Sequence, residues 1–363
     1  MSAKRSAMVD WDLAVSTASK MAGPGPVIAR SEADAVVAEL RAGADRSTPL
    51  VRDFTGLVAP DGTALNAPVL VVDRPGWIQA NVDGFATVIS PLIDRLQEKK
   101  GAPGAFAEAV GSRVTGVELG ALLGFMSSKV LGQFDPFYAL DGSPAAGTAT
   151  GRLLLVAPNI VHVEKELGVD PSDFRLWVCL HEETHRVQFT AVPWMRDHIY
   201  SEIANLTRSV EIDPAKLAGM LGEAVKRLSD LARGNDDVSL LDLLQSPEQR
   251  ATMDRITGVM SLLEGHADVV MDGVGPEVIA SVEEIRRKFN QRRKGAGTFD
   301  RILRKLLGFD AKMAQYRNGA AFVRGVVDEV GMEGFNKVWV AAENLPSKAE
   351  IGDPGSWVRR VHG

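Results

Sequence analysis

Residues 181–185 read His-Glu-Glu-Thr-His, a set of groups whose types and spacing suit work on a metal ion. On a helix, His181 and His185 lie about one turn apart on one face, so both imidazoles reach the same ion. Glu182 then leans over the ion's open side, where its carboxylate can take a proton from water. Zinc fits such a set, because it accepts neutral imidazoles and lowers the pKa of a water it holds to about 7. The chemistry implied is metal-assisted hydrolysis, with Glu182 as general base, and an amide bond is the expected target.

A catalytic zinc takes three protein ligands and leaves one position open. In a metzincin, a glycine stands three residues and a histidine six residues after the second histidine. Here those positions are Gln188 and Ala191, which excludes that class. His198 is the next histidine, but it lies beyond Pro193. The better third ligand is Glu264, within Leu262-Leu263-Glu264-Gly265-His266-Ala267-Asp268. Glu264 and Asp268 are four apart in an otherwise apolar segment, so one helical face presents both carboxylates. Glu264 is expected to bind the metal, and Asp268 to accept the free N–H of a liganding histidine and fix its tautomer. Charge developing on a carbonyl oxygen also calls for a donor beyond the metal. The candidates are Tyr316 and His266; His266 points about 200° around the helix from Glu264, which counts against it.

These residues need elements that hold them. Asp170-Pro171-Ser172-Asp173 offers a cap, a first-turn proline and an acid near the positive helix end. The apolar run at 174–180 contains no Gly or Pro, so the motif sits mid-helix in a helix expected to reach Gln188 or Phe189. Helical patterning also covers residues 11–21, 30–42, 76–99, 217–232, 247–272, 277–293, 300–307 and 312–330. Breaks fall at Gly23-Pro24-Gly25-Pro26, Pro60-Asp61-Gly62, Asn235-Asp236-Asp237 and Gly295-Ala296-Gly297. Val69-Leu70-Val71-Val72 and Arg152-Leu153-Leu154-Leu155-Val156 read as strands, with a loop over 141–151. The fold class is therefore mainly α with a small β element (α+β). A helical region at 1–150 precedes a metal-binding catalytic region at 151–363 that carries a helical insertion, the two forming one compact unit. Gly116, Gly120, Gly124, Ser128 and Gly132 recur every four residues. Glu118 and Lys129 interrupt that stripe, so it reads as a helix in close contact with another backbone rather than as a membrane span.

The pattern His181-Glu182-x-x-His185 followed by Glu264-x-x-x-Asp268 resembles the gluzincin arrangement of zinc peptidases. Along nearly its full length the chain also resembles an actinobacterial family of zincin-like hydrolases of uncharacterised substrate. One branch of that family is described as associated with biosynthesis of a deazaflavin coenzyme. The resemblance rests on Val9-Asp10-Trp11-Asp12-Leu13-Ala14, on Val156-Ala157-Pro158-Asn159-Ile160 and on residues 176–195. It continues through residues 263–272, Gln315-Tyr316-Arg317 and Glu343-Asn344-Leu345-Pro346. It implies a zincin-like metalloprotease fold, a Zn2+ cofactor and a peptide or protein substrate. It also implies a substrate-holding edge strand before the metal-binding helix, which residues 152–156 would supply, although the run is equally compatible with a simple buried strand. The coenzyme link is one of naming, and no residue here argues for it. Two departures stand out. Glu183 and Arg186 are charged where many zincins are not, so they either face solvent or pair across three residues. The gap from His185 to Glu264 is 79 residues, long for a gluzincin, and calls for a helical insertion. The alternative is a zincin-fold metal-binding protein that acts as a non-proteolytic interaction or maturation partner.

Composition agrees with a globular enzyme. A chain of 363 residues buries a large core. A net charge of −6 gives no electrostatic reason to expect nucleic acid or an anionic membrane as partner. The basic cluster at Arg286-Arg287-Lys288 and Arg292-Arg293-Lys294 reads as a solvated helix face. The single cysteine, Cys179, excludes an internal disulfide framework and suits a reducing compartment; its place in the helix argues for burial. With no apolar segment near the start, the expected location is cytoplasmic.

Overall fold

A computed structural model of the chain describes residues 9–59, 67–100, 105–139, 151–208, 247–294 and 309–363. The expected helices at 217–232 and 300–307, the turns at 60–62, 235–237 and 295–297, and nearly all of the loop at 141–151 lie outside the described residues.

Among the described residues the chain is mainly helical with one small sheet, as the patterning predicts. Helices α1 (Trp11–Met21) and α2 (Arg30–Thr55) lead into strand β1 (Val69–Val72), then α3 (Arg74–Lys100) and α4 (Ala105–Ser127). Strands β2 (Gly132–Asp135) and β3 (Arg152–Val156) precede α5 (Ala157–Leu167), α6 (Pro171–Ala191) and α7 (Pro193–Arg208). Helices α8 (Pro247–Val278), α9 (Val282–Lys294) and α10 (Phe309–Phe335) follow, then the short α11 (Lys348–Ile351) and α12 (Pro354–His362). Helix α10 is broken at Gly331, whose φ of 73° is left-handed. Among the described residues no helix is long and apolar enough to cross a membrane.

The sheet order is β1-β3-β2, with β1 parallel and β2 antiparallel to β3. Strand β3 is thus central and buried at all five positions, so of the two expectations for it the buried strand holds and the edge does not. A continuously apolar strand is what a centre requires, since both its faces are covered. Its alternation divides the interior: Leu155 joins a large core with α2, α5, α6, α8, α9 and α10, while Leu154 and Val156 join a smaller one with Trp11, Trp77 and Leu123. The sheet draws strands from both sides of residue 150.

The edge that runs beside α6 is β2, four residues in which Gly132 and Phe134 alternate with the polar Gln133 and Asp135. Val156 donates its N–H to the Leu131 carbonyl at 2.8 Å, so Leu131 and Val156 form a hydrogen-bonded pair. Pairs alternate along an antiparallel ladder, so Gly132 (opposite Leu155) and Phe134 (opposite Leu153) turn their backbone N–H and C=O groups outward. Gln133 is held from the other face by Trp77 Nε1 at 2.8 Å and by its own donation to Asn81 at 3.0 Å.

The crossing of α4 over α1 depends on glycine. A Cβ on Gly116, Gly120 or Gly124 would lie 2.6–2.9 Å from the Asp10, Ala14 or Ala18 carbonyl oxygen of α1 and its lead-in. The four-residue stripe is therefore a backbone contact for its first three members. Helix α4 ends at Ser127, and Gly132 belongs to β2 instead. Helix α2 runs well past the expected end at residue 42 and through Pro49, because its buried face continues at Ala44, Ser47, Val51 and Thr55. Packing along α6 outweighs the lost backbone bond. The basic cluster on α9 is tied to its neighbours: Arg286 pairs with Asp272, Lys288 with Glu284, and Arg292 with Glu166.

Candidate metal centre

Helix α6 begins as its sequence demands. Asp170 caps it by accepting the Asp173 N–H at 2.9 Å, and Pro171 occupies the first turn. The helix is wedged between α2 and α8. On the α2 side, the Cys179 thiol donates to the Leu40 carbonyl at 3.4 Å, and Gly43 leaves room for its sulfur. Burial pushes the Cys179 thiol well above the ordinary range, with the Glu183 and Glu182 charges adding to it. Glu183 and Arg186 also lie on the buried side, and they pair. The Arg186 Nε donates to both Glu183 oxygens at 3.0 and 2.9 Å, and its terminal nitrogens reach the Ala67 carbonyl and Thr48. Thr48 in turn donates to Glu183 at 2.7 Å. The two charges that depart from the usual zincin pattern thus bind α6 to α2.

The opposite side of α6 carries His181 and His185, whose rings stand 5.0 Å apart at 89°. Glu264 reaches them from α8, with Oε2 3.7 Å from His181 Nε2 and Oε1 3.8 Å from His185 Nε2. One ligand atom from each of the three residues lies within 4.8 Å of the others. Ligands about 2.1 Å from a tetrahedral zinc stand about 3.4 Å from one another, so the three groups need only draw together from separations of up to 4.8 Å to hold an ion of that size. All three side chains are partly open to solvent, which leaves a face for a fourth ligand. The long gap before Glu264 is crossed in part by α7 and the first turns of α8. Glycine again sets the approach: a Cβ on Gly265 would sit 2.2 Å from the Gly319 carbonyl carbon, and one on Gly319 would sit 1.9 Å from the Ser261 oxygen. Helices α8 and α10 therefore cross backbone to backbone beside Glu264.

Glu182 is buried at 8 % exposure, and Gly132 of β2 forms its floor. A Cβ at Gly132 would fall 2.5 Å from the Glu182 Cγ and 2.9 Å from its Oε1. Two residues on, Phe134 stacks on Phe189 with centroids 5.4 Å apart. Strand β2 thus runs along α6 from Glu182 to Phe189, its outward backbone groups beside the histidines' helix. Burial, and then the neighbouring Glu264 charge, push the Glu182 carboxyl up to about 8.

Gln188 was not expected to have a part in the site. Its Oε1 lies 2.9 Å from His185 Nδ1, and its Nε2 lies 3.0 Å from the Leu263 carbonyl and 2.9 Å from His266 Nδ1. His266 is fully buried, stacked on Phe335 and edge-on to Trp339. Burial, and then the neighbouring His185, push it down to about 3, so it is neutral. It is part of the scaffold and faces away from the cleft, as its angle from Glu264 predicts. Asp268 stands half-buried one turn beyond Glu264, its backbone carbonyl accepting from Arg286 at 3.2 Å. Asp268 was expected to accept the free N–H of a liganding histidine; the Nδ1 of one of them, His185, lies against Gln188, one turn further along the same helix. Tyr316 falls in α10 three residues before Gly319, and its side chain lies outside the described residues. His198 sits on α7 with its ring against Trp194. The one signal for Gln188 in the sequence was its place three residues after the second histidine.

The sequence profile of the zincin-like metallopeptidase family matches residues 9–358. A solved structure from Chloroflexus aurantiacus, described as a provisionally assigned hydrolase with a novel fold, aligns with a TM-score of 0.68 at 31% identity. That alignment covers 97% of this chain and 98% of that one. No curated protein matches the chain.

Proposed function

The chain belongs to the zincin-like metallopeptidase family, and on that premise we propose that it is a zinc-dependent hydrolase cleaving amide bonds in a peptide or protein. His181, His185 and Glu264 would hold the zinc, which supplies Lewis acidity toward a carbonyl and toward water. The observation that carries the reading is the convergence of these three ligand atoms in front of Glu182. Glu182 takes the proton of the attacking water at its carboxylate and passes it to the departing amine. Its buried position over Gly132 keeps that carboxylate at one place relative to the histidines.

The edge of β2 supports a peptide as substrate. The outward N–H and C=O groups of Gly132 and Phe134 offer an extended chain two rungs of backbone pairing. Because Gly132 touches Glu182, a strand paired there passes its peptide carbonyls beside the base. This assigns to β2 the role the sequence suggested for β3. Tyr316 is proposed as the additional donor to the developing oxyanion, from its position on α10 near the crossing with α8.

Elemental analysis of wild type and of Glu264→Ala, followed by a peptide-library screen with Glu182→Gln, tests the reading. It expects near one zinc per chain, a sharp fall in Glu264→Ala, and cleavage lost in Glu182→Gln with zinc retained. A folded wild type that takes up no zinc after resupply refutes it. A zinc-loaded wild type that cleaves no peptide would leave the non-proteolytic metal-binding partner as the better account.

A further inference from the structure

Gln188 joins two histidines and two helices through a single amide. The Leu263 carbonyl is only an acceptor, so the Gln188 atom facing it at 3.0 Å must be the NH2 group. The orientation of this amide follows from its surroundings, whereas an exposed amide offers two that density alone rarely separates. With the nitrogen end fixed, its second N–H points at His266 Nδ1 at 2.9 Å, and that ring nitrogen must be the bare acceptor. The oxygen end then faces His185 Nδ1 at 2.9 Å, which must carry the proton. In the neutral imidazole, the form that binds a metal, His185 Nε2 then has its lone pair free, and this is the atom 3.8 Å from Glu264 Oε1.

His266 is placed to serve this amide. Its other nitrogen, Nε2, is buried and has no hydrogen-bond partner among the described residues, a cost that an apolar side chain between Phe335 and Trp339 would avoid. What His266 supplies in return is the acceptor for the second Gln188 N–H. The carbonyl that takes the first belongs to Leu263, the residue immediately before Glu264. The same amide therefore holds one ligand's ring and the backbone that carries another.

We propose that Gln188, backed by His266, is the positioning residue of the metal site: it sets the tautomer of His185 before any ion arrives and fixes the register of α8 against α6. The proposal rests on His181, His185 and Glu264 being a metal site. A ligating histidine held by its other nitrogen binds more tightly, and loss of such a partner typically weakens metal affinity 10–100-fold.

The test begins with metal-free, 15N-histidine-labelled wild-type protein, in which long-range 1H–15N correlation spectra report the tautomer of each ring. The His185 signal is assigned from its absence in His185→Asn. We expect His185 protonated at Nδ1, opposite to the Nε2–H form that dominates for a histidine free in water; an Nε2–H ring in the folded metal-free protein overturns the proposal. Zinc affinity is then measured by competition with a chromophoric chelator in wild type and in Gln188→Met, which keeps the length of the chain and loses the amide. The expected result is zinc binding 10–100-fold weaker and a His185 ring relaxed toward Nε2–H. A folded Gln188→Met variant with unchanged affinity and tautomer refutes the proposal. If that variant does not fold, the wild-type tautomer decides alone. A wild type that binds no zinc while His185 is protonated at Nδ1 removes the metal reading and leaves the amide's control of the ring standing, so the two failures are told apart.

Discussion

Replacing Gly132 by alanine puts one methyl group where the structure has room for none. Its Cβ would lie 2.5 Å from Glu182 Cγ and 2.6 Å from Cδ, whereas carbon atoms settle at about 3.5–4.0 Å. One of the two partners must give way by about 1 Å. The strand is the harder to move, since β2 is laced to β3, Gln133 is clamped by Trp77 and Asn81, and Asp135 holds the buried Arg152 at 3.1 Å. The Glu182 side chain, free of hydrogen bonds from any described residue, is the one that swings. A misplacement of about 1 Å in a catalytic group costs on the order of a hundredfold in rate, or about 2.7 kcal/mol in barrier. Overpacking of this size lowers stability by about 1–3 kcal/mol. We therefore expect Gly132→Ala to remain folded, to keep its full zinc content, and to lose about two orders of magnitude in kcat/KM on a peptide that the wild type cleaves. Because the effect runs through Glu182, Gly132→Ala should cost little further when it is added to Glu182→Gln. An activity within threefold of wild type, with zinc and stability unchanged, would refute both the contact and the role given to Glu182.

Three further outcomes follow from the scaffold. Arg186→Met leaves Glu183 buried with its charge uncompensated and should lower the unfolding free energy by about 3–5 kcal/mol in urea titrations, with Glu183→Leu/Arg186→Met recovering most of it; a single-mutant loss below about 1 kcal/mol, typical of a surface pair, would show that the pair is solvated. Gly120→Leu drives a side chain into the Ala14 carbonyl and Thr17 of α1, so the melting temperature should fall by several degrees while zinc content holds; an unchanged melt would mean that α1 and α4 are not in backbone contact. The buried Cys179 thiol, raised by desolvation, should resist alkylation at neutral pH and label along the unfolding curve in denaturant; fast labelling of native protein would place it at the surface.

What the sequence made legible was local. The caps of α6, the one-turn spacing of its histidines and the carboxylate of Glu264 within an apolar helix all act over a few residues, and each is where it was expected. What it hid were contacts whose two halves lie far apart in the chain. Gln188 shows its purpose only once Leu263 and His266 arrive from another helix. Strand β2 has only four residues and a glycine at its first position, too short a signal to stand out, so the edge role was considered for the more apolar β3, beside its reading as a simple buried strand. The stripe of small residues was read correctly as a close helix contact, but its last member belongs to the strand beneath Glu182. Helix α2 continues through Pro49 because tertiary packing overrides the local signal. The charges of Glu183 and Arg186 looked like an objection to the site until their pairing against Thr48 made them part of its support.

The separation of the ligands in sequence has a consequence for timing. During synthesis the chain emerges from its N-terminus and folds segment by segment. Strand β1 must wait for β3, and α6 must wait for α8. A nascent chain that has delivered His181 and His185 lacks both Glu264 and the Leu263 carbonyl that orients Gln188, so it presents two loosely held imidazoles. Such a half-site holds an ion weakly. On the proposed reading of the site, durable metal capture, and with it any power to cut a peptide, is therefore withheld until α8 docks, late in the life of the growing polypeptide.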